Sequence, residues 1–497
     1  MPHSKPQSTT AGSTPLPSAP GLGIAGWSGI HLACARAVAG ARQAGHAIAL
    51  AVSERASGDV DPLAALAMPG GNAGPERRFY FEHPAAGFAL AAGGRTALRM
   101  PDCAAGPAGS RFAAVRDAIG QALAEAQAWA PQGEASLGAH AVGGFAFFDQ
   151  VDAAQWPGFA PADVDLPAWA VLRRAASTWR LVQTAVAPGD EPSAVQARIE
   201  SSLERLRRAA GVPDSGRARD AIRVKSLEAP DARAHWMQVV RTARDGIRQG
   251  RLRKVVLARP LDLVCTPAPD QLTLLARLRC AYPDCTTFLA DPGAGQVYLG
   301  ATPEGLARLE SGRVSLGALA GTFPRGATPE ADAALRRLIL ESAKEREEHG
   351  IVVETIRGAL AGLGRIDLAD EPEVRAFRNV WHLFTPITLV PDAGVSLLGL
   401  VERLHPTPAV GGFPREAALD VIRRVESFDR GWYGAPLGWL NARGEGEFVV
   451  TLRSGTVADG RVRLFAGGGI VADSDPEREF EETRIKFQPL LGALGYE

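Results

Sequence analysis

Between Asp231 and Gly250 the apolar residues Trp236, Val239, Val240, Ala243 and Ile247 recur at three- and four-residue steps. That spacing lays one stripe along a helix. Asp231 is placed to cap its start and Gly250 to close its end. The pattern then changes. Lys254 to Ala258 (KVVLA) is a short apolar run opened by a lysine, and TTFLA from Thr286 and QVYLGA from Gln296 are runs of the same kind, all read as strands. WYGAPLGWL and EFVVTLR, joined by the turn-rich NARGEG, predict a hairpin. RVRLFAG from Arg461 predicts another strand. A long helix is expected from about Pro329 to Leu363, and a last one from near Pro476, with proline at its favoured first position.

The earlier part of the chain is less sharply patterned. Ala-rich helical stretches alternate with short strands, and VGGFAFFD (Val142 to Asp149) reads as a buried strand with close backbone contacts. Gly211 to Arg219 (GVPDSGRAR) reads as a linker or long loop. The expected division is a disordered Ser/Pro tail at 1–22, a supporting half at 23–225 and a catalytic region at 226–497.

Composition narrows the class. The 497 residues carry 54 Lys and Arg against 55 Asp and Glu, a net charge of −1. Such balance argues against a nucleic-acid footprint. No apolar stretch is long enough to span a membrane. Five cysteines at irregular spacing, with no CxxC, argue against a disulfide or zinc scaffold. The expected location is cytoplasmic.

Two helices carry acids where an apolar stripe is expected. In the long helix that contains SAKEREEHGIVVETI, helical spacing puts Glu341, just before that segment, on one face with Glu345, Glu348, Val352 and Ile356. In PEREFEETRIKF, Glu479, Glu482 and Lys486 share a face. Either face can be solvated. Paired acids on two helices can also hold a hard, oxygen-seeking cation such as Mg²⁺. Lys254 is either a charge at a strand edge or a buried amine fit to act as a base. Glu304 follows a strand in LGATPEGL, and Arg453 ends VVTLR, where its fork can grip a carboxylate. The glycines of AGGGIV (Ala466 to Val471) offer backbone N–H groups to an anion or permit a tight turn.

Together these segments resemble the chorismate-utilising enzymes of menaquinone, siderophore and tryptophan biosynthesis. The matching blocks, dense over about 230–495, are KVVLAR, LGATPEGL, LAGT, SAKEREEH, WHLFTP, HPTPAVGGFP, DRGWYGAPLGW, GEFVVTLRS, LFAGGGIV and EREFEETRIK. The resemblance implies an α/β (α+β) fold like that of anthranilate synthase component I. Large antiparallel β-sheets are wrapped by helices, with the site in a cleft between two halves of one chain. It implies Mg²⁺ held by Glu348 and Glu482, with Glu345 and Glu479 reaching the ion through water. Arg453 and Tyr433 would hold the pyruvyl carboxylate of chorismate, helped by backbone N–H groups of Gly467 and Gly469. Lys486 would lie near the ring carboxylate, and His382 and Thr322 would line the ring.

Glu304 matches the acid that protonates the departing C4 hydroxyl, and Lys254 the base that activates water for attack at C2. Ammonia-using relatives usually have Gln at the lysine's place, and the aminodeoxychorismate branch has a nucleophilic Lys where LAGT has Ala320. The water-using branches therefore fit better. Ala409, where salicylate synthases tend to carry Thr, and WHLFTP favour the isochorismate synthases. The expectation is an Mg²⁺-dependent isomerase feeding menaquinone, siderophore or salicylate biosynthesis. It is expected to be a monomer without a glutamine amidotransferase subunit. Salicylate synthase, or a chorismate-binding homologue without catalysis, is the alternative.

Overall fold

Period-two alternation sets the layers of the structure, a computed structural model that describes residues 29–58, 60–68, 76–98, 110–208, 222–376 and 380–496. The expected tail, the segment Gly211–Arg219 and Cys103 lie outside the described residues. In the strand Arg78–His83, Phe79 and Phe81 enter one core while Tyr80 enters another. In Ile48–Arg55, Ala49 and Ala51 face the first core, Leu50 and Val52 the second. A sheet buried on both faces results.

Among the described residues that sheet has thirteen strands. It runs from Gly412–Phe413 through Lys254–Thr266, Arg461–Ile470, Ser454–Ala458, Val297–Thr302 and Thr286–Asp291, which pairs with Arg78–His83, and ends at Ile48–Arg55 and Gln127–Trp129. Pairing is antiparallel except between the last two. The helices Ile30–Ala44, Pro192–Arg208, Gln271–Ala281 and Pro476–Leu494 cover its outer face. Its inner face packs on a second sheet of nine strands, where Phe88 stacks on Trp439 at 5.0 Å. This sheet includes Val380–Pro391, Arg313–Pro324, Gly305–Glu310, Gly446–Val450, Pro436–Asn441 and His140–Phe145. Both sheets thus take strands from before and after residue 226. The antiparallel, helix-wrapped architecture is the one the resemblance implies.

Local expectations hold in part. The hairpin forms as Pro436–Asn441 and Gly446–Val450. The lysine-led strand runs further than KVVLA, to Thr266. VGGFAFFD is strand only as far as Phe145. Asp231 precedes its helix but its side chain caps nothing, whereas Asp475 accepts from the amides of Glu477 and Arg478 at 3.0 Å each. AGGG is not a turn; it lies within Arg461–Ile470. The long helix is two, Pro329–Glu341 and Ala343–Leu360. Ser342 breaks it: its backbone turns extended (φ −69°, ψ 109°) and its Oγ accepts from Glu345 N at 3.3 Å. An N-cap needs that non-helical backbone, so Glu341 leaves the face that Glu345 and Glu348 share. Among the described residues no helix is long and apolar enough to cross a membrane.

Candidate active site

One cleft of about 750 Å³, measured to its open mouth, is lined by Lys254, Glu304, Glu348, His382, Ala409, Tyr433, Arg453, Gly467, Gly469, Glu482 and Lys486. The strand Lys254–Thr266 lies antiparallel to Arg461–Ile470, with Val256 opposite Gly469 and Ala258 opposite Gly467. The helices Ala343–Leu360 and Pro476–Leu494 bring their acids to this strand pair.

Lys254 is 2 % exposed, so it is not a solvent-facing edge charge. Its Nζ donates to Glu348 Oε1 at 2.7 Å. Lys486 pairs with Glu482 one helical turn away and donates to the Gly467 carbonyl at 2.8 Å. Burial pushes the Glu482 carboxyl up, but Lys486 and then Arg453 outweigh it and hold it below the usual carboxylate range.

Glu304 is pushed the other way. Burial raises its carboxyl to about 7, against the opposing pull of Lys254, Arg453, Thr407 and Lys486. Its carbonyl accepts from Val450 N at 2.9 Å, and Thr407 Oγ1 donates to Oε1 at 3.5 Å. A carboxyl in that range is partly protonated at neutral pH and can deliver a proton.

Arg453 does not end a strand as expected. Gly446–Val450 stops before it, and Arg453 takes a left-handed backbone, φ +49°. A non-glycine residue rarely adopts this conformation unless its surroundings impose it. Its carbonyl is held by Ala301 N at 3.2 Å, across from Gly300, where a Cβ would come within 2.7 Å of that oxygen. Among the described residues its guanidinium makes no hydrogen bond or ion pair with protein, and it faces the cleft. Burial draws it below its ordinary value. Such a group is ready for an anionic ligand. Tyr433 stacks on Phe465 at 5.3 Å, and burial lifts its phenol to about 12, so it stays a neutral donor.

The glycines provide bare backbone. A Cβ on Gly467 would meet Tyr433 Oη at 3.3 Å; one on Gly469 would meet Glu348 Oε1 and Lys254 Cε, each at 3.1 Å. Cβ positions on Gly468 and Gly321 fall 2.9 and 3.0 Å from Glu479 Oε2 and Glu345 Oε2. Carboxylates from two helices thus pack against glycine backbone, Glu348 at Gly469 and Glu479 at Gly468 on one strand and Glu345 at Gly321 on a strand of the other sheet. All are hard oxygen donors, which suits Mg²⁺. Among the described residues no three His, Cys, Asp or Glu side chains converge as a ready cation cage, and the lysines engage Glu348 and Glu482. Glu345 and Glu479 are buried behind the cleft lining.

His382 lies in Val380–Pro391 opposite Thr322, of which only the backbone position is described. Burial lowers its imidazole to about 3, and Nδ1 donates to the Gly321 carbonyl at 3.0 Å, so the ring is neutral with its proton on Nδ1. The cleft also contains Arg430, which the sequence reading left unassigned. Its signal was an arginine inside the aromatic run FDRGWY.

A family profile described as "chorismate binding enzyme" matches residues 34–495. The salicylate biosynthesis isochorismate synthase of Pseudomonas aeruginosa is 40% identical over 368 residues, 73% of this chain and 75% of that one. Isochorismate synthase MenF of Bacillus subtilis is 35% identical over 357 residues, 71% and 74% of the two chains. Among solved structures, the menaquinone-specific isochorismate synthase MenF of Escherichia coli superposes with a TM-score of 0.73 at 23% identity. The match covers 92% of this chain and all of that one, and it speaks to the fold.

Proposed function

The chain belongs to the chorismate-binding enzymes, and on that premise we propose that it is an isochorismate synthase, converting chorismate reversibly to isochorismate. The observation that carries the reading is a buried lysine and a carboxyl raised to about 7, Lys254 and Glu304, lining one cleft. Water addition at C2 with loss of the C4 hydroxyl needs a base and an acid together.

Lys254 acts as the base and takes a proton from water. The oxygen bonds to C2, the ring double bonds shift, and the C4–O bond breaks as Glu304 gives its proton to the departing oxygen. One water enters and one leaves, so the reaction is an isomerisation without redox change. Arg453 and Tyr433 would grip the pyruvyl carboxylate, with the N–H groups of Gly467 and Gly469 beside them. Neutral His382, Thr322 and Ala409 would border the ring. Glu348 and Glu482, backed by Glu345 and Glu479, would hold Mg²⁺ near Lys486. When bound, the ion would neutralise and orient the ring carboxylate. Fixing both ends of chorismate contributes chiefly through orientation.

Water is the nucleophile here, so the reading includes no ammonia-delivering amidotransferase; the enzyme is taken as a monomer. The four cysteines among the described residues, at 34, 265, 280 and 285, are free, which accords with a reducing cytoplasm. The product would feed menaquinone, siderophore or salicylate biosynthesis.

The test is product analysis by chromatography with purified protein, chorismate and Mg²⁺, beside an ammonium-containing control. Isochorismate in equilibrium with chorismate, without pyruvate, is expected. Salicylate with pyruvate would make it a salicylate synthase. Anthranilate or aminodeoxychorismate in the control would overturn the role of Lys254, and chorismate bound but unchanged would mean no catalysis.

A further inference from the structure

The outer edge of the strand that carries Lys254 is completed by side chains. At its start, Lys254 and Val255 pair with Phe413 and Gly412, and Val256 N donates to Gly411 O at 2.8 Å. Further along, Leu263–Thr266 pair with Arg223–Ser226. Between these points no strand among the described residues covers the edge. Instead the Val256 carbonyl accepts from Arg430 Nη2 at 2.7 Å, and the Ala258 N–H donates to Glu426 Oε1 at 2.7 Å. The two side chains also bind each other, Nε to Oε2 at 2.8 Å and Nη2 to Oε1 at 2.5 Å. The remaining nitrogen, Nη1, donates to the Val410 carbonyl at 2.8 Å, next to Ala409. The Arg430 carbonyl accepts from Tyr433 N at 2.8 Å.

A buried ion pair is a poor way to gain stability, since well-packed apolar side chains often serve as well or better. This pair does something apolar side chains cannot. The guanidinium, 1 % exposed and 4.4 Å from the Phe147 ring, bonds carbonyls of two adjoining segments that both line the cleft. Its planar fork fixes both spacing and angle. One segment bears Lys254, the other Ala409, and the residue's own backbone holds the turn of Tyr433.

The geometry points to Glu426 and Arg430 as a positioning pair for the reaction: together they set the Lys254 strand against the Ala409–Val410 segment, and so place the attacking water relative to the ring. This rests on the isochorismate synthase reading. A displacement near 1 Å can cost about a hundredfold in rate.

Arg430→Lys keeps the charge and loses the fork; Glu426→Gln keeps the shape and loses the charge. Each full-length variant is assayed with chorismate and Mg²⁺ beside the unaltered protein, with circular dichroism and thermal melting. We expect kcat to fall roughly tenfold to a hundredfold in each, with KM for chorismate within about threefold. The double variant should fall little further than the worse single one, because the two act as a unit. Should Arg430→Lys fail to fold, the near-isosteric Glu426→Gln decides. Folded variants with kcat within about threefold of the unaltered protein, even if they melt earlier, overturn the positioning role. Absence of isochorismate from the unaltered protein overturns the underlying reading instead.

Discussion

Lys254 Nζ lies 2.7 Å from Glu348 Oε1, joining the first residue of a strand to a carboxylate 94 positions later on a helix. The contact is possible because Gly469, across the ladder from Val256, has no side chain to fill the space. The proposed base and a proposed metal ligand therefore share one small volume.

Replacing either member of the proposed acid–base pair should slow turnover far more than it weakens binding. For Lys254→Ala and Glu304→Gln we expect kcat to fall by about 10²–10⁴-fold, with a much smaller change in KM. Steady-state kinetics check this, and near-normal turnover in either variant removes that residue from the scheme.

The Glu304 carboxyl ties activity to stability through pH. Its folded value, about 7, lies above the ordinary 4.5. The folded state thus holds the proton more tightly than the unfolded one, so stability falls as pH rises between these values. Glu304→Gln, which needs no proton, should be more stable than the unaltered protein at pH 8, by roughly 3 kcal/mol at most. The unaltered enzyme should lose kcat/KM above about pH 7 as the acid ionises. Melting curves at pH 5 and pH 8 read the first effect; an equal gain at both would refute the assignment.

Gly469→Ala should act as an active-site change in a strand that stays folded. The added methyl would lie 3.1 Å from both Glu348 Oε1 and Lys254 Cε, so both must shift by tenths of an ångström. We expect a loss of about tenfold or more in kcat with an unchanged circular dichroism spectrum. Full activity would show that the floor tolerates bulk.

Removing the proposed Mg²⁺ with a chelator should abolish turnover and leave the fold intact. Lys254 and Lys486 pair with Glu348 and Glu482, so these carboxylates have partners within the chain itself. The thermal midpoint should fall by less than about 5 °C, and added Mg²⁺ should restore activity. Chelation that unfolds the protein would contradict this.

The sequence exposed much of the site and less of the fold. Acids at helical spacing led to Glu345, Glu348, Glu479 and Glu482, and a lysine opening an apolar strand led to Lys254, because each signal is local. Glu341 was misplaced: Ser342 can sit inside a helix or cap one, and only the packing of Ala343–Leu360 decides which. Arg430 escaped because its meaning lies in carbonyls at Val256 and Val410, distant in sequence. The union of Arg78–His83 with Thr286–Asp291, which merges early and late strands into one sheet, leaves no mark in either segment.

The last helix, Pro476–Leu494, supplies Glu479, Glu482 and Lys486. A pocket that needs these side chains is therefore complete only once this helix has docked. A polypeptide cut near residue 475 would keep every strand described in the two sheets and still lack half of the proposed cation ligands. On the proposed roles, loss of this one helix would silence the site while leaving the strands that frame it.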